Sequence, residues 1–156
     1  MLNHHYFSFH NWRFLRISFY TDERSDALFL NDLKSAIEDE YKSYYLYKSM
    51  LPLTNDPTWQ AFIKQTMGDE KSHYEMLQQL YYMLTGQFVQ NEIQKPTCTD
   101  LKVCAKQAVE DELAATKKYK MLLLNVPIEE GQNSLFIAML DEMEHAIRFS
   151  TIYNAL

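Results

Sequence analysis

The feature that most constrains this chain is a set of polar residues that occurs twice, with an offset of 72 residues. Each copy consists of a single glutamate followed by a Glu-x-x-His motif, and the residues are Glu40, Glu70, His73, Glu112, Glu142 and His145. Around each of them, apolar residues recur at spacings of three and four, which predicts the buried face of an α-helix. The chain must therefore bury carboxylates and imidazoles in the middle of its helices.

The composition favours one domain built from long helices. The chain has 156 residues, of which 47% are hydrophobic, enough for one substantial core. Three glycines and four prolines leave few interruptions. Proline-marked turns at 55–57 and 125–127, with a long connection at 86–99, divide the chain into four segments. We predict helices at about 26–51, 57–85, 100–124 and 129–154.

The turns determine the height of each glutamate in the fold. The midpoint of Glu40 and Glu70 is residue 55, and the midpoint of Glu112 and Glu142 is residue 127, so each midpoint falls in a turn. In an antiparallel hairpin, residues equidistant from the turn lie at one level. The extended connection spans up to roughly 46 Å, which exceeds the roughly 40 Å length of such a helix. The midpoint of Glu70 and Glu112 is residue 91, inside this connection, which brings the two hairpins into register as well. All four carboxylates are therefore expected in one layer.

These observations predict an all-α fold, a four-helix bundle of two antiparallel helical hairpins joined by a long crossover and related by a pseudo-twofold repeat. Residues 1–25 are predicted to form an aromatic and basic arm. Residues 26–156 are predicted to form the bundle, with repeat halves at about 26–85 and 100–156.

The buried polar layer predicts a metal centre. An unpaired buried carboxylate costs several kcal/mol, and neighbouring carboxylates repel one another. Two divalent cations would offset the four negative charges, and neutral imidazoles would complete the coordination with nitrogen. The six repeated residues are therefore the predicted ligands of two metal ions. Oxygen and nitrogen donors without thiolate favour iron, with manganese and zinc as alternatives.

The motif has an alternative explanation without any metal, because a single Glu-x-x-His motif is common on solvated helix faces. A gene duplication would also repeat the pattern without creating any site. The halves differ at most other positions, however, for example at Lys42 and Ala114. Two copies of the motif on apolar faces therefore favour the metal centre.

Tyr47 and Tyr119 also repeat at the same offset, seven residues after Glu40 and Glu112 respectively. If the first and third helices are antiparallel, each phenol points toward the glutamate of the other helix, where a hydrogen bond would support a ligand. The alternative is that each ring only fills the core, and the sequence leaves both open.

Together, these motifs resemble the ferritin-like di-iron carboxylate proteins, and most of all the rubrerythrin branch. The resemblance covers roughly residues 26–154 and rests on Glu40-x-x-Ser43-x-x-x-Tyr47, Glu70-Lys-Ser-His73, Glu112-x-x-Ala115-x-x-x-Tyr119 and Glu142-Met-Glu-His145. It implies that Glu70 and Glu142 bridge two irons, that Glu40 with His73 completes one site, and that Glu112 with His145 completes the other. It also implies reaction with O₂ or hydrogen peroxide, and a homodimer.

The chain departs from rubrerythrins in two ways. Cys98 and Cys104 cannot supply the four thiolates of a rubredoxin module, so any electron donor must be a separate protein. Rubrerythrins also carry a carboxylate one turn after the third-helix glutamate, where this chain has Ala115. Two functions therefore remain, an oxidoreductase of ferroxidase or peroxidase type, and a non-catalytic metal-binding, storage or structural protein.

The remaining features of the sequence limit which partners and which cellular location are expected. A net charge of −6 argues against nucleic acid as a partner. We find no apolar run long enough for a transmembrane segment and no signal peptide, and the two cysteines are expected to be free thiols in a reducing cytoplasm. The arm, with its aromatic residues and Arg13 and Arg16, is expected to pack on the bundle or a second subunit, or alternatively to touch a membrane.

Overall fold

The computed structural model describes residues 23–90 and 93–156. Within these ranges the chain contains helices and no strand. The four long helices are α1 (Glu23–Met50), α2 (Pro57–Thr85), α3 (Leu101–Asn125) and α4 (Gln132–Ala155), and short 3₁₀ turns cover Leu51–Leu53 and Glu129–Gly131. Each long helix begins and ends within three residues of its predicted position. The largest differences are at the start of α1, which extends into the predicted arm, and of α4, whose first predicted residues form the 3₁₀ turn.

The helix ends follow from local sequence. Asp56 accepts hydrogen bonds from the backbone N–H groups of Thr58 and Trp59, at 2.8 and 3.0 Å, and so caps α2. Pro57 occupies the first helical position, where its missing N–H costs nothing. Gly86 ends the same helix with φ of 73°, a left-handed conformation that glycine adopts without strain. The turn between α1 and α2 is therefore placed where the proline-marked break predicts it.

The helices pack in two close pairs, α1 with α2 and α3 with α4. The pairs meet through contacts of α1 with α3 and of α2 with α4. This arrangement is compatible with a four-helix bundle.

Two apolar clusters form the core, one on each side of the glutamate positions. The first cluster includes Leu33, Leu77, Leu122 and Leu135, and the second includes Tyr47, Ile63, Ala105 and Phe149. In every helix, the residues before the buried glutamate belong to one cluster and the residues after it to the other. The core is therefore divided by a polar layer.

The expectation of free thiols is wrong, because Cys98 and Cys104 form a disulfide. Asp100 caps α3 by accepting the N–H of Val103, and this turn folds the preceding residues back against the first turn of the helix. The Cα atoms of the two cysteines are consequently 6.1 Å apart, within the normal range for a disulfide. The prediction of a reducing compartment loses the support that it drew from these residues.

No helix in the described ranges is long and apolar enough to cross a membrane. The expectations for the N-terminal arm fall on residues that lie outside the described part, apart from Glu23, Arg24 and Ser25, which begin α1.

Candidate metal centre

The structure brings the six repeated polar residues into the layer between the two apolar clusters. All are buried, with at most 5% of their surface exposed: Glu40, Glu70, His73, Glu112, Glu142 and His145. Each helix contributes one glutamate, and α2 and α4 each add a histidine one turn later. The i, i+3 spacing places the histidine and the glutamate of one helix on the same face.

The six residues form two overlapping groups of four. Glu70 and Glu142 belong to both groups, Glu40 and His73 complete the first, and Glu112 and His145 complete the second. In each group one nitrogen or oxygen atom per residue lies within 4.8 Å of the others, a spacing that fits donors around one cation. Two cation sites that share two carboxylates are therefore geometrically available.

Both imidazoles face the carboxylates with the same ring nitrogen. His73 Nδ1 is 2.9 Å from a Glu142 oxygen and 3.7 Å from a Glu40 oxygen. His145 Nδ1 is 3.0 Å from a Glu70 oxygen. The shortest of these distances fit a hydrogen bond, but the angles at the nitrogen and oxygen atoms do not, so neither Nδ1 atom has a hydrogen-bond partner. The atoms instead point together into a common space.

Buried atoms without a hydrogen-bond partner concentrate in this layer. Among the described side chains, they are one oxygen each of Glu40 and Glu70, both oxygens of Glu142, and Nδ1 of His73 and His145. Each such atom costs roughly 1–3 kcal/mol when it is left unsatisfied, and natural cores rarely tolerate several together. Metal ions bound to these oxygen and nitrogen atoms would satisfy all of them, so the residues fit a di-metal centre.

Three of the buried glutamates differ in the direction in which their pKa is shifted in the metal-free protein. Burial, with the nearby charges of Glu40 and Glu112, raises the pKa of Glu70 well above its usual range. Burial also raises the pKa of Glu112. Glu142 is the exception, because its interactions with Glu112 and with both imidazoles outweigh burial and hold its pKa below the usual range. In the metal-free layer, Glu70 and Glu112 therefore hold a proton more readily than Glu142 does.

The imidazoles hold further protons in the metal-free layer. Burial by itself would lower the pKa of His73, but Glu142 and Glu40 outweigh it and raise the pKa from 6.5 to about 11. The corresponding carboxylates, Glu112 and Glu142, raise the pKa of His145 to about 10. Any metal that binds Nδ1 must displace these protons.

Two aspartates fix the orientation of the histidines, a role that the sequence interpretation missed. His73 Nε2 is 3.2 Å from Asp141 Oδ2, and His145 Nε2 is 3.2 Å from Asp69 Oδ2. Each contact connects α2 with α4 and occupies Nε2 on the side away from the carboxylates, which leaves Nδ1 as the atom that faces them. The signal was present in the sequence, because an aspartate precedes both Glu-x-x-His motifs at the 72-residue offset.

The two aspartates have different surroundings. The buried Arg148 side chain donates to Asp69 at 3.4 Å, to Thr66 at 3.1 Å and to Glu144 at 2.6 Å. The residue 72 positions before Arg148 is Met76, which has no donor to offer Asp141. The two halves of the centre therefore differ in the residues that surround the aspartates, although the six central residues repeat.

The tyrosines make the hydrogen bonds that the sequence left open. The Tyr119 hydroxyl donates to Glu40 Oε1 at 2.8 Å, and the Tyr47 hydroxyl donates to Glu112 Oε1. Burial, followed by nearby glutamates, raises the pKa of both phenols well above 10. Both therefore stay protonated and hold one oxygen of each glutamate, although the rings also fill the core.

We find no match to this chain among models of known protein families, curated proteins or solved structures. Its resemblance to ferritin-like di-iron proteins therefore stays a prediction from the motifs.

A cavity of about 250 Å³ reaches the polar layer from the side between α1 and α3. Its lining combines all four glutamates with small residues, Ala36, Ser43, Ala114 and Ala115. Lys118 also lines the cavity, and its Nζ donates to Ser35 Oγ at 2.9 Å and pairs with Asp39. Through these contacts Lys118 connects α3 to Ser35 and Asp39 on α1. The cavity is large enough for small molecules to reach the carboxylates.

Proposed function

We propose that the protein is a di-iron carboxylate protein and acts as an oxidoreductase on O₂ or hydrogen peroxide, of ferroxidase or peroxidase type. The observation that carries this proposal is the buried layer of unsatisfied carboxylate and imidazole atoms in two overlapping groups. Such a layer has no structural purpose in a bundle core, since apolar residues would pack there without the cost of burying charge.

In the proposed centre, Glu70 and Glu142 would contribute to both ion sites, because they belong to both groups. The remaining residues divide between the sites, Glu40 with His73 and Glu112 with His145. Four carboxylates and two imidazoles suit iron, with manganese and zinc as alternatives. A thiolate-preferring metal is disfavoured, because Cys98 and Cys104 are joined in a disulfide outside the layer.

The apolar clusters support a ferritin-like topology. The N-terminal halves of α1 and α4 share one cluster with the C-terminal halves of α2 and α3. This grouping supports antiparallel hairpins in which α2 and α3 run in the same direction. Val89 lies in the first cluster and Cys98 in the second, so the connection between α2 and α3 runs from one end of the core to the other. We propose that it is the crossover of a bundle with pseudo-twofold symmetry.

Two bound irons would supply two electrons to an O–O bond while carboxylates adjust to the change in charge. Reduction of hydrogen peroxide to two water molecules also takes up two protons, and its electrons come from a separate donor protein or from Fe²⁺ as substrate. The chain itself positions the ligands. Tyr119 and Tyr47 hold one oxygen of Glu40 and Glu112, and Asp141 and Asp69 keep His73 and His145 in one tautomer. The cavity between α1 and α3 gives a small oxidant access to the layer.

A second candidate function is non-catalytic metal binding, for storage or as a structural component. One observation favours it. The position one turn after Glu112 is Ala115, which lines the cavity without offering a ligand. Ligand exchange during a redox cycle would then have to use the six residues alone.

A redox titration separates the two functions. Metal-free protein is loaded anaerobically with Fe²⁺, peroxide or O₂ is added, and near-ultraviolet absorbance is followed through several cycles with a reductant. We expect two irons per chain and repeated oxidation. Binding of two irons with no oxidation, or with one turnover only, would support the storage function.

Variants test the ligand assignment separately from the reaction. His145→Ala and Glu70→Ala should lower the iron stoichiometry measured by elemental analysis. Glu75→Gln, an exposed carboxylate on the same helix as Glu70, is the matched control and should retain two irons. If the ligand variants still bind two ions, the assignment is wrong whatever the reaction.

A further inference from the structure

The outward face of α4 carries an unusual apolar stripe. Phe136, Leu140, Met143 and Ile147 are 47%, 47%, 48% and 66% exposed. Their spacing of four, three and four residues puts them in one line along the helix, as in the seam of a coiled coil. The opposite face of α4 is the buried one that carries Glu142 and His145. A helix that is apolar on two faces is normally covered on both.

The internal repeat provides a comparison within the same chain. The positions on α2 that correspond to the stripe at the 72-residue offset are Lys64, Gly68, Lys71 and Glu75. These equivalents are polar or lack a side chain, as expected of a solvated helix face. The apolar stripe on α4 is therefore not a requirement of the bundle, because α2 occupies the equivalent place without it.

A shallow groove widens the apolar surface beside the stripe. It lies between α3 and α4, has a volume of about 430 Å³, and is lined by Val109 and Leu113 together with Met143 and Ile147. Leu113 is 49% exposed. Contiguous apolar surface of this kind on a folded chain marks an interaction site.

We propose that this stripe is the docking surface for a second copy of the chain, with the two α4 helices packed antiparallel across a twofold axis. An axis between residues 141 and 142 places Phe136 opposite the partner's Ile147 and Leu140 opposite the partner's Met143. The polar residues at the two ends correspond as well, since Asn133 falls opposite the partner's Ser150. The stripe is self-complementary in this orientation, which is the requirement for a twofold interface.

The charges around the stripe favour a protein partner over an anionic membrane. No lysine or arginine lies among the exposed residues from Phe136 to Ile147, and the exposed charged residue beside the stripe is Glu144. Interfacial helices that bind anionic lipid carry lysine and arginine on their polar face, and the chain as a whole has a charge of −6. The inference does not depend on the metal centre, because none of the stripe residues faces it.

The first test measures the mass of the full chain by sedimentation equilibrium over a range of concentrations. We expect a dimer of about twice 18.6 kDa. Leu140→Glu and Ile147→Glu should each convert it to a monomer with unchanged helical circular dichroism, because each would bury an unpaired carboxylate against an apolar side chain, the partner's Met143 or the partner's Phe136 respectively. Lys71→Glu, at the α2 position equivalent to Met143, is the control and should leave the dimer intact.

The second test determines the orientation. Phe136→Cys combined with Ile147→Cys should form disulfide-linked dimers on mild oxidation. The cysteine at position 136 of one copy then lies opposite the cysteine at position 147 of the other copy. Either substitution alone should not form such dimers, because identical positions would be about 16 Å apart along the helix axis, too far for a disulfide. Cross-linking by either single variant would indicate a parallel arrangement and would overturn the proposed interface.

Other outcomes also overturn the proposal. A monomeric full chain at high micromolar concentration would mean that no second copy docks. A dimer that persists in both glutamate variants would place the interface elsewhere. Co-sedimentation of the chain with phosphatidylserine vesicles, lost in Leu140→Glu while the protein is monomeric, would assign the stripe to a membrane.

Discussion

Single residues in the centre are held by partners on other helices. Tyr119 on α3 donates to Glu40 on α1, and Tyr47 on α1 donates to Glu112 on α3. Because rotamers of long acidic side chains are costly to fix, these contacts prepare the carboxylates before any metal binds. The two tyrosines are therefore expected to contribute to stability as well as to the proposed metal binding.

Tyr119→Phe should lower the free energy of unfolding of the metal-free protein by about 1 kcal/mol, because the buried Glu40 oxygen loses its donor while the ring still fills the core. Urea unfolding of the metal-free variant and of the parent protein measures this difference. An unchanged midpoint would show that the hydroxyl contributes no stability.

The aspartates allow a comparison between the two halves. Asp141→Asn should weaken metal binding about 10-fold to 100-fold, because the amide no longer accepts well from His73 Nε2. Asp69→Asn should have the same effect beside His145 and should also reduce stability by about 1–3 kcal/mol, because the buried Arg148 guanidinium loses an anionic partner. Competitive metal titrations and urea unfolding measure the two effects. Equal stability of both variants would contradict the role given to Arg148.

At the scale of elements, the connection between α2 and α3 is fixed at both ends. Val89 exchanges backbone hydrogen bonds with the Gln78 side chain, at 2.9 Å each. The backbone N–H of Cys98 donates to Ser49 Oγ at 2.7 Å, and the disulfide joins this residue to the first turn of α3. The start of α3 is therefore held against the end of α1.

Removing the disulfide should destabilise the protein without disturbing the metal-facing layer. A bridge that closes so short a loop contributes about 2 kcal/mol. Cys104→Ser, or the parent protein in dithiothreitol, should show this loss in urea unfolding and should still bind two metal ions by elemental analysis. A loss of metal would show that the connection also positions the ligands.

At the scale of the whole molecule, the metal-free layer couples folding to pH. The pKa of His73 is about 11 in the folded protein and 6.5 when unfolded, and that of His145 is about 10. The folded state therefore binds more protons than the unfolded state above pH 6.5, so its stability falls as pH rises toward 10. The raised pKa of Glu70 acts in the same direction.

We expect the melting temperature of the metal-free protein to decrease between pH 6.5 and 9. Metal affinity should increase over the same interval, because fewer protons compete for the ligands. Thermal unfolding across the pH range and calorimetric metal titration in buffers of different ionisation enthalpy measure both trends. Metal binding without proton release at pH 7 would contradict the protonated layer.

The sequence predicted the local features well. Helix type and bounds follow from apolar spacing and from proline-marked turns, which act over a few residues. The six polar residues of the layer were identified because charged or polar side chains are unexpected on an apolar helix face. The pattern also occurs twice in the sequence, at an offset of 72 residues, so it can be recognised without the structure. The turn midpoints predicted that they would share one level.

Contacts between helices were harder to predict. Asp69 and Asp141 border the layer and resemble ordinary solvated carboxylates in the sequence, because a contact across two helices leaves no periodic trace. The burial of Arg148 also depends on contacts with another helix, which the sequence does not show. The disulfide was missed because six residues of separation do not reveal that the α3 cap folds Cys98 back onto the helix.

By itself, then, the sequence determined the helices, their turns and the residues that meet in the polar layer, since these depend on spacing along the chain. The tertiary structure alone decided which oxygen each tyrosine holds, which nitrogen each histidine turns toward the centre, how the cysteines pair, and that the α4 stripe is exposed. Those features depend on the rotation and approach of separate helices, and that geometry arises only when the packed core fixes it.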